Sequence, residues 1–161
     1  MRVVFLVCVI CVLLFACDES RVYEQNTDFS ERYWIVSEKP EFEFTIEQPA
    51  DTYTLFGNIR NSVSYPYARI FFNYHLQDST GADIEKKLVS QYLFDAKTGK
   101  PFGNSGLGDI YDHSFPLLTN YQFKHRGRYK IKLEQLMRVD TLKGILAVGV
   151  RVEKSSPESG Q

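Results

Sequence analysis

From Glu41 to Glu47 every second residue is apolar or nearly so: Phe42, Phe44 and Ile46 alternate with Glu41, Glu43, Thr45 and Glu47. A period of two gathers the aromatic and aliphatic groups on one side only when the backbone is extended, so this stretch is a strand with one dry and one wet face. The pattern recurs along the chain. Tyr53, Leu55, Gly57 and Ile59 alternate with Thr54, Asn58 and Arg60, with Phe56 on the polar side. Ala68, Ile70, Phe72, Tyr74 and Leu76 oppose Arg69, Asn73, His75 and Gln77. Lys87 to Phe94 reads as another strand, and Tyr129, Ile131 and Leu133 face away from Lys130, Lys132 and Glu134. Leu146, Val148, Val150 and Val152 share a face, and Trp34-Ile35-Val36 opens the series.

The alternating polar faces exclude a doubly wound parallel sheet, whose buried strands read as continuous apolar runs. Turn chemistry separates the runs at Asp78-Ser79-Thr80-Gly81, Lys97-Thr98-Gly99-Lys100-Pro101 and Lys124-His125-Arg126-Gly127-Arg128. The expected architecture is all-β: an antiparallel two-sheet β-sandwich, immunoglobulin-like or jelly-roll-like, over residues 33–153. Helix, a turn or two at most, is expected only at Ala82 to Lys87 or Glu134 to Thr141. Asp95 to Asn120 shows little periodicity and reads as a long loop, a length that in compact domains marks function or disorder.

The chain begins Met1-Arg2, runs apolar from Val3, and reaches Leu14-Phe15-Ala16-Cys17. One cation, a 14-residue apolar stretch and a small residue before cysteine form a lipoprotein signal, residues 1–16, to be cleaved with diacylglyceryl attached to Cys17. As a helix the run spans about 21 Å, short of the roughly 30 Å hydrocarbon core. An ordinary secretory signal is the rival reading. Cys8 and Cys11 lie in the leader, so the processed chain keeps only Cys17 and can form no internal disulfide. Residues 17–32 are polar and read as a lipidated tether, and residues 154–161 as a disordered tail. Removing 16 of 161 residues leaves 145, one domain's worth.

The leader carries Arg2 and no acid, so the formal charge of −1 becomes −2 after cleavage. Nucleic acid, which demands a clear cationic excess, is not an expected partner. Attachment to the membrane falls to lipid on Cys17, because two acyl chains hold where one binds only marginally.

Candidate chemistry is sparse. Asp109, Asp112 and His113 stand within five residues, yet they match neither the spacing of structural zinc sites nor the alternating oxygen ligands of a calcium loop. They read as a capping carboxylate and a solvated loop imidazole, with a metal site or hydrolase as the sharper alternative. The Gly103 to Gly108 stretch lacks the ending of a phosphate-binding loop. No serine stands in a nucleophile elbow, so no catalytic residue, metal or cofactor is expected. His75 and His125 are expected to be solvated. Tyr65-Pro66-Tyr67 reads as a turn bearing two exposed tyrosines, a surface for protein contact or sugar stacking. With Asp109, Tyr111, Asp112 and His113 it forms the candidate interaction surface, expected at one end of the sandwich.

Several stretches recur in a recognisable order: Cys17 with Arg21-Val22-Tyr23-Glu24, Tyr33-Trp34, Arg60-Asn61-Ser62 with Ser64-Tyr65-Pro66-Tyr67, and Asp78-Ser79-Thr80-Gly81. Leu93-Phe94-Asp95, Thr98-Gly99-Lys100-Pro101, Gly106 to His113, Gln135 with Met137-Arg138, and Gly144-Ile145 with Val148-Gly149 continue it. In order and spacing the chain resembles the gliding motility lipoprotein GldH family of the Bacteroidota over nearly the whole processed length. The resemblance implies a lipid-anchored envelope protein; which membrane holds it stays open, with the outer expected ahead of the inner. It would act without catalysis, beside other Gld lipoproteins in a motility machinery linked to type IX secretion. It supplies no catalytic residues. A glycan-binding surface lipoprotein is the alternative.

Overall fold

A computed structural model describes residues 20–106 and 108–155. The leader, Cys17 and the last residues of the tail lie outside the described residues. Eleven strands follow one another: β1 (Arg21–Asp28), β2 (Tyr33–Ile35), β3 (Glu41–Ile46), β4 (Thr52–Ser62), β5 (Arg69–Gln77), β6 (Asp83–Tyr92), β7 (Asn104–Ser105), β8 (Ile110–Gln122), β9 (Gly127–Gln135), β10 (Thr141–Lys143) and β11 (Ile145–Lys154). One sheet has the order β1-β11-β4-β8-β7, the other β3-β9-β5-β6, and β2 pairs with β10 in a small third ribbon. Every ladder is antiparallel.

The pairing is nested. β5 pairs with β6, outside them β4 with β8, then β3 with β9, then β1 with β11. Such a hairpin of eight long strands, folded across two sheets, is a jelly roll, not an immunoglobulin-type arrangement. One core lies between the sheets. Trp34, Phe42, Ile46, Ile70, Tyr74, Leu76, Ile131 and Val150 are wholly buried, and Phe72 meets Phe115 across the gap at 6.1 Å between ring centroids.

Four expectations change. Residues 21–28 of the expected tether are the strand β1, whose backbone pairs with β11 from Arg21↔Glu153 to Asp28↔Ala147. Its side chains are mostly exposed because it is an edge strand, which hid it from a search for apolar alternation. No helix occurs among the described residues: Ala82 to Lys87 enters β6, and Glu134 to Thr141 closes β9 and crosses to β10. The second half of the expected 95–120 loop is β8. Pro116 disguised it, but the far side of β8 at that point has no ladder partner, since β7 pairs only with Tyr111 and Asp112, so no donor is missed. His75 is buried, its Nδ1 2.9 Å from Asp83 and its Nε2 3.5 Å from Glu134.

The antiparallel directions sort the connections. The β3–β4, β5–β6 and β8–β9 turns lie with Arg21 and Lys154 at one end and are four or five residues long. The longer 29–40, 63–68, 93–109 and 136–144 connections gather at the other end. Hydrogen bonds lock these four together: Ser62 N donates to Gly144 O at 2.9 Å, Gly144 N to Arg32 O at 2.9 Å, and Val63 N to Asp109 O at 2.7 Å.

Candidate functional site

The 61–67 turn and the 109–113 segment meet at this far end because β4 and β8 pair there, Asn61 opposite Tyr111 and Arg60 opposite Asp112. Gly144 permits the closure. Its φ is +83°, and a Cβ on it would stand 2.8 Å from Tyr65 Cα, so no side chain fits. Tyr65 itself is buried, not exposed as its sequence suggested. Its hydroxyl donates to Arg69 O at 3.1 Å, and burial pushes its pKa far above the ordinary tyrosine range, so the group stays protonated. Its ring stacks on Phe94 at 6.5 Å, which meets Tyr111 edge-on at 6.1 Å. Tyr67 closes this row, edge-on to Tyr65 at 5.7 Å, and is exposed together with Pro66.

The remaining candidates separate by face. Asp112 lies on the outer side of its sheet, its carboxylate 2.7 Å from Arg60 Nε. His113, the next residue along a strand, projects the opposite way. It is buried, and desolvation lowers its pKa despite the nearby Asp112 carboxylate. Its Nε2 lies under Gly103, where a Cβ would stand 2.7 Å away. Asp109 is exposed and contributes its backbone carbonyl to the Val63 bond. Asp109, Asp112 and His113 therefore do not converge, and among the described residues no group of three acids, histidines or cysteines is placed to hold a metal. The solvated imidazole expected at 113 is an interior one instead.

Tyr67 leads to a feature the sequence did not disclose. On the outer face of the second sheet it lines an open apolar groove of about 560 Å³ with Phe71, Leu88, Leu136, Met137 and Val139, and Arg138 at the rim. Phe71 forms the floor. Leu136 N donates to Phe71 O, and Met137 Sδ accepts from Phe71 N at 3.4 Å, which holds the 136–139 crossing beside β5. Arg69 continues the surface, its guanidinium 3.8 Å over the Tyr92 ring and 5.7 Å from that of Phe71. Leu88 is 55% exposed and Phe102 60%. Of the exposed large hydrophobic side chains among the described residues, Val36, Val63, Tyr67, Tyr92, Phe102 and Leu136 lie at the far end, Leu88 at mid-sheet, and Ile84 toward β1's start. Glu134 to Thr141, open by sequence to a turn of helix, is instead the crossing that carries Leu136, Met137 and Val139 into the groove.

A second hollow on the outer face of the first sheet is polar, bounded by Glu24, Asn26, Asn58, Arg60 and Asp112. Its groups bond one another: Asn58 donates to Glu24 at 3.3 Å and accepts from Ser114 at 2.9 Å.

Known proteins supply the remaining comparison. A relative described as a gliding motility lipoprotein GldH homolog, from Christiangramia forsetii, is 30% identical over 151 residues, covering 89% of this chain and 90% of its own. The gliding motility lipoprotein GldH of Flavobacterium johnsoniae is 27% identical over 150 residues, covering 89% and 91%. Among solved structures, the VP2 subviral particle of infectious bursal disease virus aligns with a TM-score of 0.45 at 13% identity, over 85% of this chain and 33% of that one. The model of the family described as GldH lipoprotein matches residues 21–152, from the first residue of β1 to near the end of β11, and the chain belongs to that family.

Proposed function

We propose that the protein is an outer-membrane lipoprotein of the gliding machinery, linked to type IX secretion. Lipid on Cys17 holds it by one end of the jelly roll, and the other end contacts protein partners without catalysis. The observation that carries this reading is the sidedness of the fold. β1 starts four residues after Cys17, which places the short-turn end within about 14 Å of an anchored cysteine. Eight strand residues then rise about 26 Å to the end where the long connections and the exposed apolar groups collect. Exposed apolar surface concentrated on one region marks interaction sites. The relatives' names supply the machinery. Arg69 covers the Tyr92 ring, and the exposed Tyr67 stands among the aliphatic side chains of the groove, a lining that favours protein contact over sugar stacking.

The test places a photoreactive residue in living cells at Phe102 or Val63, and at Ala50 or His125 as near-end controls. Crosslinks to motility or secretion proteins are expected from the first pair only, and crosslinks from the second pair alone would refute the arrangement. Mass spectrometry of the native protein is expected to find a diacylglyceryl group on Cys17, fractionation is expected to place it in the outer membrane, and Cys17→Ser is expected to release it from membranes.

A further inference from the structure

We infer that the groove over Phe71 binds an extended segment of a partner protein that carries aliphatic or aromatic side chains beside a carboxylate. The inference rests on the contact reading above and names its chemistry. Leu88 on β6 and Leu136 beyond β9 stand on either side of Phe71 on β5, two strand spacings apart, about 10 Å between backbone rows. A helix with its side chains is about 10–12 Å across and cannot descend between these walls, whereas one row of side chains from an extended chain can. The walls are apolar and adaptable, with Met137 among them.

Charge selects the flank of the occupant. Arg138 lines the rim and Arg69 lies on the adjoining surface, and neither has an ion-pair partner among the described residues. Among the described residues no carboxylate lines the groove. Arg69 is held beside the groove by stacking on Tyr92, by its bond to the Tyr92 hydroxyl and by its closeness to the Phe71 ring. Two guanidiniums without a carboxylate partner beside an open apolar trough favour an occupant whose carboxylate follows an apolar anchor.

The experiment selects a phage-displayed library of random twelve-residue peptides against the full chain in detergent micelles. Enriched peptides are expected to combine an Asp or Glu with large apolar residues. Leu88→Glu is expected to weaken them at least about tenfold, as for an anchor position, and Arg138→Glu severalfold. Ile84→Glu, on the same strand away from the groove, is expected to leave binding unchanged and controls for folding. Lack of enrichment, enrichment of basic peptides, or equal loss with Ile84→Glu overturns the proposal. So does a dimer of the full chain that Leu88→Glu dissociates, which would assign the groove to a second copy. Crosslinks from Phe102 in cells without peptide enrichment would remove only the peptide chemistry, while loss of those crosslinks would remove the contact reading itself.

Discussion

Gly144→Ala separates backbone strain from packing at the far end. Gly144 and Gly81 have nearly the same φ, +83° and +84°, so alanine at either position enters the left-handed region at a cost of about 1–2 kcal/mol. They differ in surroundings. A Cβ at Gly81 meets nothing within 4 Å, whereas one at Gly144 meets Tyr65 Cα at 2.8 Å and Tyr65 N at 2.9 Å. Carbon atoms rest at about 3.5–4.0 Å, so the Tyr65 backbone must retreat by most of an ångström. That movement strains the bonds from Ser62 to Gly144 and from Val63 to Asp109, and overpacking of this kind costs about 1–3 kcal/mol more. Urea denaturation followed by circular dichroism is expected to show Gly81→Ala losing about 1–2 kcal/mol and Gly144→Ala about 2–5. Equal losses within about 0.5 kcal/mol would refute the claim that the 62–65 turn is clamped by contact with position 144.

Tyr74 is fully buried with a hydroxyl that has no partner, so Tyr74→Phe is expected to be neutral or to stabilise by up to about 1 kcal/mol, read from the same denaturation midpoint. Burial, helped by Glu85 and Tyr121, pushes the Tyr74 hydroxyl up to about 12. Stability from that protonated group is complete below pH 10 and drains as pH rises from 10 to 12, and Tyr74→Phe is expected to flatten the alkaline limb of a thermal-midpoint profile. On the acid side, desolvation holds His113 below its usual 6.5, so its contribution is present above that pH and falls as pH drops through the folded value. His113→Phe is expected to remove that slope. Hydrogen bonds from His75 and Gln77 to Asp83, and from Lys39 to Glu134, hold both carboxyls below their ordinary range. A further loss is therefore expected below about pH 4, and it should shrink in His75→Gln.

The strand faces were legible because each depends on local alternation. Phe42, Phe44, Ile46, Tyr129, Ile131 and Leu133 all point inward as their spacing required. β1 was not legible, since an edge strand solvated along most of its length needs no apolar period, and backbone bonds to β11 hold it instead. His75 and His113 were misplaced for a related reason. Polarity at a strand position signals solvent only where no neighbouring strand supplies a partner or a cover, and Asp83, Glu134 and Gly103 do so here.

Which groups act together is a property of topology, not of alternation. Tyr65 and Tyr67 are two residues apart, which in a strand would give them one face, yet one ring is interior and the other borders the groove because the turn between β4 and β5 carries the chain from one sheet to the other. The same crossing assigns Asp112 to the outside of one sheet and Tyr67 to the outside of the other, so the candidate surface divides even though its members share an end. Nesting of the strand pairs requires every alternate connection to lie at the end opposite β1's first residue. A chain anchored before β1 thus presents its 63–68 and 136–144 connections away from the anchor, and these are the segments that build the groove. The placing of the apolar surface opposite β1's first residue follows from a single topological fact, which no window of consecutive residues contains.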